Sequence, residues 1–213
     1  MHENGGGYTV LVAEQVSHHP PITALHLCNE TLGFKMNSFT APEPRFWGNS
    51  VEVKLRGVNR ITLEKWDNEE YELTRPFIHM SGFLAGRHRL EFVGSTSVVC
   101  LKTGVSAEIE FKSKGMLGRG ELNGIHGRVY NAASGKTLYT IVGTWDGILT
   151  ATNASTGEDH ILFDYGLVVA EHSMIAILPP LDEHEETFSS SVWAECSEAI
   201  WKTDSVAANI GKR

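Results

Sequence analysis

The stretch Val51-Glu-Val-Lys-Leu-Arg56 alternates strictly between apolar and charged residues. Alternation with a period of two places successive side chains on opposite faces of a β-sheet, so Val51, Val53 and Leu55 share one face. The stretch Ala107-Glu-Ile-Glu-Phe-Lys112 repeats this pattern. Both stretches predict half-buried strands, and they indicate that the chain is mainly β.

Further strand candidates follow one another at spacings of about ten residues, with turn residues between them. Two of them flank Ala-Ala-Ser-Gly-Lys, where Gly135 can supply the positive φ of a hairpin loop. The candidates are Tyr8 to Val12, Thr23 to Leu27, Arg60 to Leu63, Leu90 to Phe92, Ser97 to Leu101, Arg128 to Asn131, Thr137 to Val142, Gly147 to Ala151 and His160 to Phe163. This spacing predicts an antiparallel meander that closes on itself or stacks as a sandwich.

Composition narrows the functional classes. The chain has 213 residues and a net charge of −8, which argues for about one domain and against a general nucleic-acid binder. No apolar run approaches the ~18 residues of a membrane-spanning helix, and the N-terminus lacks a secretion signal. Three widely spaced cysteines fit a reducing compartment. We therefore expect a cytoplasmic protein.

The last part of the chain changes from strand to helix patterning. Its apolar residues recur at spacings that keep them on one helical face. They are Phe188, Val192, Trp193, Cys196, Ile200 and Trp201. Ser189, Ser190 and Ser191 are candidate N-caps of this helix, and Asp204 is the candidate cap of a second helix through Ala207 and Ile210.

Motifs of enzymes and cofactor sites are missing from the sequence. It contains neither the His-Glu-x-x-His zinc motif nor the Gly-x-Ser-x-Gly elbow. A phosphate-binding loop at Gly135-Lys136-Thr137 would need glycine at Tyr130. Asp182, His184 and Glu186 could bind a metal, but a solvated acidic loop is the favoured interpretation. We expect no catalysis, no cofactor and no metal.

The segment Glu14-Gln-Val-Ser-His18-His19-Pro20-Pro21 differs from everything around it. Two consecutive prolines exclude a helix or a central strand and keep the preceding residues extended. Adjacent imidazoles held in this way can donate hydrogen bonds to an anion such as a phosphate. The alternative is a proline turn that carries two surface histidines, and the residues alone favour this alternative.

These eight residues resemble the signature of the oxysterol-binding-protein-related family of lipid-transfer proteins. Other segments resemble the family in the same order along the chain. They are Pro44-Arg-Phe-Trp-Gly48, Arg75-Pro76 with Gly82 and Gly86, Glu110 to Gly127, Gly143-Thr-Trp145 and the helix from Trp193 to Trp201. The resemblance therefore covers nearly the whole chain.

The resemblance implies an incomplete antiparallel β-barrel that encloses a lipid tunnel, followed by a C-terminal helical segment. We expect residues 1–213 to form a single partial ligand-binding domain, with barrel strands in 1–181 and an acidic loop and helices in 182–213. The family domain begins upstream with a lid and continues further at its C-terminal end, so both parts are expected to be missing here.

The resemblance also implies non-enzymatic lipid transfer between membranes, in which a sterol or another phospholipid is exchanged for phosphatidylinositol 4-phosphate. His18 and His19 match the histidines that contact its headgroup, and Lys212 is a further candidate ligand. The signature loop comprises Glu14, Gln15, Val16, Ser17, Pro20 and Pro21. The expected location is cytoplasmic and peripheral at membranes or membrane contact sites, with transient contact to the membrane surface.

Two other functions stay open from the sequence. A lipid sensor or scaffold would bind lipid without shuttling it, and a small-molecule hydrolase using one histidine ranks last. Outward-facing basic residues are candidates for the membrane contact, although ordinary surface roles are the favoured interpretation. They are Lys54, Arg56, Arg60, Arg87, Arg89, Lys112, Lys114 and Arg119.

Overall fold

A computed structural model describes residues 7–84, 86, 88–113, 121–171 and 186–211. The chain divides into two compact units, Met1–Ala170 and Glu171–Arg213. The first unit contains the sheet, and the second contains short helices. The prediction that all 213 residues form one partial domain stays a prediction.

In the described part of the chain the first unit is a single antiparallel sheet of 13 strands. The strands are β1 (Val10–Ser17), β2 (Ile22–Asn29), β3 (Phe34–Phe46), β4 (Ser50–Arg56), β5 (Asn59–Leu63), β6 (Glu69–Leu73), β7 (Phe77–Ser81), β8 (Arg89–Cys100), β9 (Val105–Phe111), β10 (Gly124–Asn131), β11 (Thr137–Thr144), β12 (Ile148–Asn153) and β13 (Asp159–Asp164). A short 3₁₀ helix, Glu64–Trp66, connects β5 to β6, and helix α1 (Tyr165–Glu171) follows β13.

Two long strands of the meander are interrupted. β4 and β5 lie in sequence along the same partner, because Phe46 of β3 pairs with Val51 and Phe34 of β3 pairs with Leu63. β6 and β7 divide in the same way, and both pair with β8. The sheet therefore opens locally, and hydrogen bonding forms a ring through β3, β4, β7, β8, β6 and β5.

Gly57 and Arg75 explain how the sheet tolerates these breaks. Gly57 has φ +110°, and a Cβ there would lie 2.0 Å from the carbonyl oxygen of Phe39. Arg75 extends from the second break toward β3 and β5, where Nη1 donates to that same oxygen at 2.9 Å. Its Nη2 donates to Ser38 Oγ and Asn59 Oδ1. Burial lowers the pKa of this guanidinium, which nonetheless stays charged.

β3 is the longest strand, and sequence patterning did not predict it. Its second half carries Pro42 and Pro44, which cannot donate to a ladder. β2 pairs with β3 only as far as Thr40, so in the described structure the proline half has β4 as its single neighbour. Prolines are tolerated there because one edge of the strand needs no donors.

The core of the first unit lies on one face of β9 to β12. Ile125, Ile141 and Ala151 are buried at its centre. The residues packed around them are Ile109, Phe111, Val129, Tyr139, Trp145 and Leu149. Phe92 of β8 extends the core through edge contacts with the rings of Phe111 and Trp145, at 6.0 and 5.3 Å between centroids. The alternating strands therefore present the apolar face that the sequence predicts.

The antiparallel order sends alternate turns to opposite ends of the sheet. The turns after β1, β3, β7, β9 and β11 share one end, which contains His18 and His19 and is called the histidine end below. The turns after β2, β5, β8, β10 and β12 lie at the far end. The strand order alone thus decides which loops can act together.

The second unit contains α2 (Ser189–Val192), α3 (Ala194–Trp201) and α4 (Ser205–Ile210). The single helix expected from the apolar spacing is divided at Trp193, which has φ −104° and ψ 9°. The predicted serine N-caps are wrong, because Phe188 occupies the N-cap of α2 without a side-chain bond. The Asp204 cap is confirmed, since its side chain accepts from the backbone N of Val206 and Ala207.

The prediction of a mainly β, antiparallel fold with C-terminal helices is confirmed. Leu90 to Phe92 and Ser97 to Leu101 were predicted as two strands, whereas β8 runs through both. In the described residues, pairing ends at β1 and β13, which lie at opposite edges of the sheet order. No helix within the described ranges has the length and apolar character needed to cross a membrane.

Replacing Gly57 should destabilise the sheet at its first break. In Gly57→Ala the new Cβ would collide with a backbone oxygen that cannot move freely, so we expect a loss of more than about 2 kcal/mol in the free energy of unfolding. Gly135→Ala is the matched control, since its φ is +70° but nothing lies within 4 Å, and about 1 kcal/mol should be lost. Urea titration measures both, and equal losses would contradict the steric explanation.

Candidate functional site

The histidine-proline segment spans the end of β1 and the turn into β2. Glu14 to Ser17 are strand residues, and only His18 to Pro21 form the turn, with a cis peptide bond between His19 and Pro20. The expected strand Tyr8 to Val12 is therefore too short, because β1 continues to Ser17. In the described structure β1 pairs only with β2. Pro20 and Pro21 lie in the turn and not in a strand, as expected for residues that cannot donate to a ladder.

A β-bulge re-aims the chain just before the turn. Gln15 pairs with Thr23 and Ser17 pairs with Ile22, so Val16 is the extra residue. A bulge bends its strand and increases the local twist, and bulges are common next to functional sites. The signature residues Gln15 to Ser17 thus set the direction in which the following histidines project.

His18 and His19 lie against each other on the exposed turn. Their ring centroids are 4.3 Å apart and the ring planes are inclined by 46°. Both side chains are exposed. A neutral imidazole offers one donor and one acceptor, whereas the protonated ring offers two donors and a positive charge. The pair can therefore offer hydrogen-bond donors to an oxyanion without a lysine or arginine in the same turn.

The other predicted site residues lie either on the same hairpin or outside the described residues. Glu14, Gln15, Val16, Pro20 and Pro21 are exposed, and Ser17 is half-buried. Contiguity in sequence brings them onto one hairpin with the histidines. Lys212, the further candidate ligand, lies outside the described residues, as do Asp182 and His184 of the rejected metal cluster.

Arg75 is a cation that contacts β3 and β5, and the sequence alone did not assign it to a site. Its guanidinium reaches the carbonyl of Phe39, and Phe39 pairs with Ala24 shortly after the histidine turn. Its guanidinium donates to a hydroxyl, an amide oxygen and a backbone carbonyl, all of them neutral. The available signal was an arginine directly before Pro76, where a strand must break.

A separate cavity of about 730 Å³ lies over β8, β9 and β10. Most of its lining side chains are polar, and the carboxylates are already paired: Arg128 contacts Glu108 at 3.0 Å and Lys112 contacts Glu110 at 2.7 Å. The lining includes Thr74, Ser95, Ser97, Glu108, Glu110, His126 and Arg128. This polar, open cavity differs from the apolar tunnel that the resemblance implies.

One buried donor has no acceptor in the described part of the chain. It is Nε1 of Trp145, whose ring packs in the core beside Phe92. Trp145 follows β11 and therefore lies at the histidine end. A buried N–H without a partner is rare in folded proteins.

The structure holds no arrangement suited to a metal among the described residues, where no group of three His, Cys, Asp or Glu side chains converges.

Several of the basic residues considered for a membrane contact are already neutralised. Arg56 contacts Glu43 at 3.0 Å and Arg60 contacts Glu72 at 3.2 Å. Arg87, Lys114 and Arg119 lie outside the described residues.

The sequence profile of the oxysterol-binding protein family matches residues 2–210. The chain belongs to the oxysterol-binding protein family. An oxysterol-binding protein homolog of Schizosaccharomyces pombe is 37% identical over 208 residues, covering 97% of this chain and 42% of the relative. Oxysterol-binding protein 10 of Dictyostelium discoideum is 37% identical over 195 residues, covering 92% of this chain and 48% of the relative. This chain thus spans less than half the length of these two family members.

Solved structures of the family share the fold. The Osh1 ORD domain in complex with ergosterol matches with a TM-score of 0.75 at 19% identity, over 100% of this chain and 55% of that one. The Osh3 ORD of Saccharomyces cerevisiae in complex with PI(4)P matches with a TM-score of 0.60 at 28% identity, over 73% of this chain and 40% of that one. The family resemblance predicted from the signature and its neighbouring segments is confirmed.

Removing the two histidines should leave the fold intact. Because both rings are exposed and contact mainly each other, His18→Ala/His19→Ala should change the free energy of unfolding by no more than about 0.5 kcal/mol. Urea titration beside the unmodified chain measures this. A loss of several kcal/mol would mean that the pair stabilises the hairpin, and the rings would then be poor candidates for ligand contacts.

Proposed function

We propose that this chain is a non-enzymatic lipid-binding unit that takes up phosphatidylinositol 4-phosphate and a second lipid, a sterol or another phospholipid, and exchanges them between membranes. The exposed histidine pair on the β1–β2 turn is the observation that carries the proposal. Family membership supports it, and so does the PI(4)P complex of the Osh3 ORD, which is 28% identical to this chain.

The headgroup would be held by charge-assisted hydrogen bonds from His18 and His19. A phosphate monoester carries up to two negative charges and three acceptor oxygens, which suits two adjacent imidazoles as donors. A bound phosphate in turn favours the protonated, doubly donating form of a nearby imidazole. Pro20 and Pro21 restrict the turn that carries both rings, so little conformational freedom is lost on binding.

The remaining signature residues would act as the frame of this site. Glu14, Gln15 and Ser17 belong to the strand ladder, and the bulge at Val16 orients the turn. Lys212 is proposed as a further headgroup ligand. The lipid tail needs an apolar enclosure, which we propose to be the tunnel of the family fold. Exchange would then occur at membranes or membrane contact sites, from a cytoplasmic pool of the protein.

Exchange requires that the two lipids make different contacts in a shared site, because only such a difference lets a gradient of one lipid drive the other. A phosphate monoester in the headgroup can form charge-assisted hydrogen bonds with the histidines, whereas a sterol offers them only a neutral hydroxyl. The second candidate function is a lipid sensor or scaffold, which binds with the same histidines but does not shuttle. The open, one-sided turn favours neither function, so only a transfer measurement separates them.

Binding of the headgroup should depend on the histidine pair. Each charge-assisted hydrogen bond contributes about 1.5–3 kcal/mol, so His18→Ala/His19→Ala should weaken binding of a soluble short-chain phosphatidylinositol 4-phosphate by at least about a hundredfold. Isothermal titration calorimetry with the 213-residue chain measures this. His160→Ala is the matched control, since it removes an exposed histidine on β13 and should leave affinity unchanged.

Two results would count against the headgroup site. Equal affinity of the double variant and the unmodified chain would remove the histidines from it, and an equal loss in His160→Ala would indicate a nonspecific charge effect. A short-chain phosphatidylinositol without the 4-phosphate provides the ligand control, because its binding should be insensitive to the double variant.

Transfer should require the same two residues. With donor and acceptor liposomes of different composition, we expect phosphatidylinositol 4-phosphate to move to the acceptor with the unmodified chain and at least about tenfold more slowly with His18→Ala/His19→Ala. Fluorescence of a labelled headgroup sensor on the acceptor liposomes follows the movement. Tight binding without any movement would overturn the exchange function in favour of the sensor.

A further inference from the structure

Two turns at the histidine end of the sheet lie side by side. The first connects β3 to β4 and the second connects β7 to β8; β4 pairs with β7, and Ser50 lies opposite Ser81. A side chain also joins the turns, because Oδ1 of Asn49 accepts a hydrogen bond from the backbone N of Leu84 at 2.7 Å. The two turns therefore form one surface and not two independent loops.

The joined turns expose large apolar side chains. Phe46 is 77% exposed, Trp47 is 64% exposed and Leu84 is 86% exposed, and Phe83 beside them is also exposed. We call these four residues the apolar tip. Four bulky apolar side chains together on the outermost turns of a sheet mark a surface that meets an apolar phase or partner. Trp and Phe in particular suit the boundary between water and lipid.

The charge around the apolar tip is opposite in sign to the charge of the chain. Segments 44–51 and 80–90 contain arginine and histidine but no Asp or Glu, whereas the whole chain has a net charge of −8. Arg45, His88 and Arg89 are exposed beside the tip. Among the described residues neither arginine forms an ion pair, although the register places Glu52 opposite Arg45. The tip thus presents a local cationic rim.

The far end of the sheet supplies a comparison within the same molecule. Trp66 is 60% exposed and Leu101 is 90% exposed there, so single apolar side chains project from both ends. Around them, however, lie Glu64 and Asp67, and the side chain of Asp67 pairs with Lys102. At this far end Lys65 donates to the backbone oxygen of Thr31, while Glu64 and Asp67 add negative charge beside Trp66. Exposed apolar residues there are therefore surrounded by charge of both signs, whereas the side chains of Arg45 and Arg89 beside the apolar tip form no ion pair among the described residues.

We propose that the apolar tip and its cationic rim dock this chain onto an anionic lipid bilayer. The aromatic and leucine side chains enter the interfacial region, and the two arginines add the attraction of basic residues to anionic headgroups. The tip shares its end of the sheet with His18 and His19, so docking brings the headgroup site toward the membrane. The inference rests on the proposed function, because lipid exchange requires the chain to contact a membrane, but it concerns a different surface.

The test compares matched variants of the 213-residue chain on vesicles of phosphatidylcholine with and without phosphatidylserine. Trp47→Ala/Leu84→Ala should lower the partition coefficient by about tenfold or more, because both side chains lose apolar area that enters the bilayer. Trp66→Ala/Leu101→Ala removes the same residue types at the far end and should leave partition within about twofold of the unmodified chain. Co-sedimentation measures both.

The arginines are tested separately. Arg45→Ala/Arg89→Ala should remove most of the preference for vesicles with phosphatidylserine and flatten the dependence on salt, while weak binding to neutral vesicles remains. Insertion is tested by quenching of tryptophan fluorescence with brominated lipids. Trp47→Phe should retain partition and lose most of the quenching, which keeps the test valid even if the alanine variants fold poorly.

Docking and headgroup binding fail in different ways. Soluble short-chain phosphatidylinositol 4-phosphate should bind the tip variants as tightly as the unmodified chain, and His18→Ala/His19→Ala should still partition onto phosphatidylserine vesicles. Equal partition of the tip variant and the unmodified chain would overturn the docking surface, as would equal loss in the far-end variant. If neither the unmodified chain nor any variant binds the short-chain phosphatidylinositol 4-phosphate, the headgroup site is overturned. The result for docking onto vesicles is then unaffected.

Discussion

Backbone hydrogen bonding between antiparallel strands is the constraint on which the described sheet depends. Each long strand pairs with the strand before and after it, so the chain folds as a meander from β1 to β13. This connectivity requires alternate turns to lie at the same end of the sheet. The histidine turn, the two joined turns of the apolar tip and the turn with Trp145 share an end for this reason, although they are far apart in sequence.

The ladder is interrupted at two places. Along β3 the register is unchanged across the first break, whereas along β8 it shifts by one residue across the second. It opens where Gly57 adopts a positive φ and where Pro76 lacks a donor, and the Arg75 guanidinium bridges the gap with hydrogen bonds to neutral acceptors. These breaks leave a local gap that the paired strands surround, while the apolar face still packs around Ile125 and Ile141. The gap therefore arises from a few residues whose chemistry forbids an unbroken ladder.

The strands with clear alternation were predictable, and those without it were not. Val51 to Arg56 lies within β4, and Ala107 to Lys112 covers most of β9, because their apolar side chains face one side of the sheet. β3 was missed because Pro42 and Pro44 are acceptable only on an open edge, which depends on where β2 ends. β6 and β7 were also missed, and Phe77-Ile-His-Met-Ser81 of β7 does not alternate. The division of the C-terminal helix at Trp193 was likewise invisible in the apolar spacing.

Local patterns in the sequence were enough to predict the mainly β class, the family and the contiguous histidine segment, because alternation and a short motif are local properties. Tertiary structure decided which turns are neighbours and which basic residues stay unpaired, since both depend on strand register. Asn49 and Leu84 are joined only because β4 pairs with β7, whereas Arg56 and Arg60 are neutralised by carboxylates on adjacent strands. Contacts across strands combine residues that no local pattern relates, and the apolar tip is such a combination.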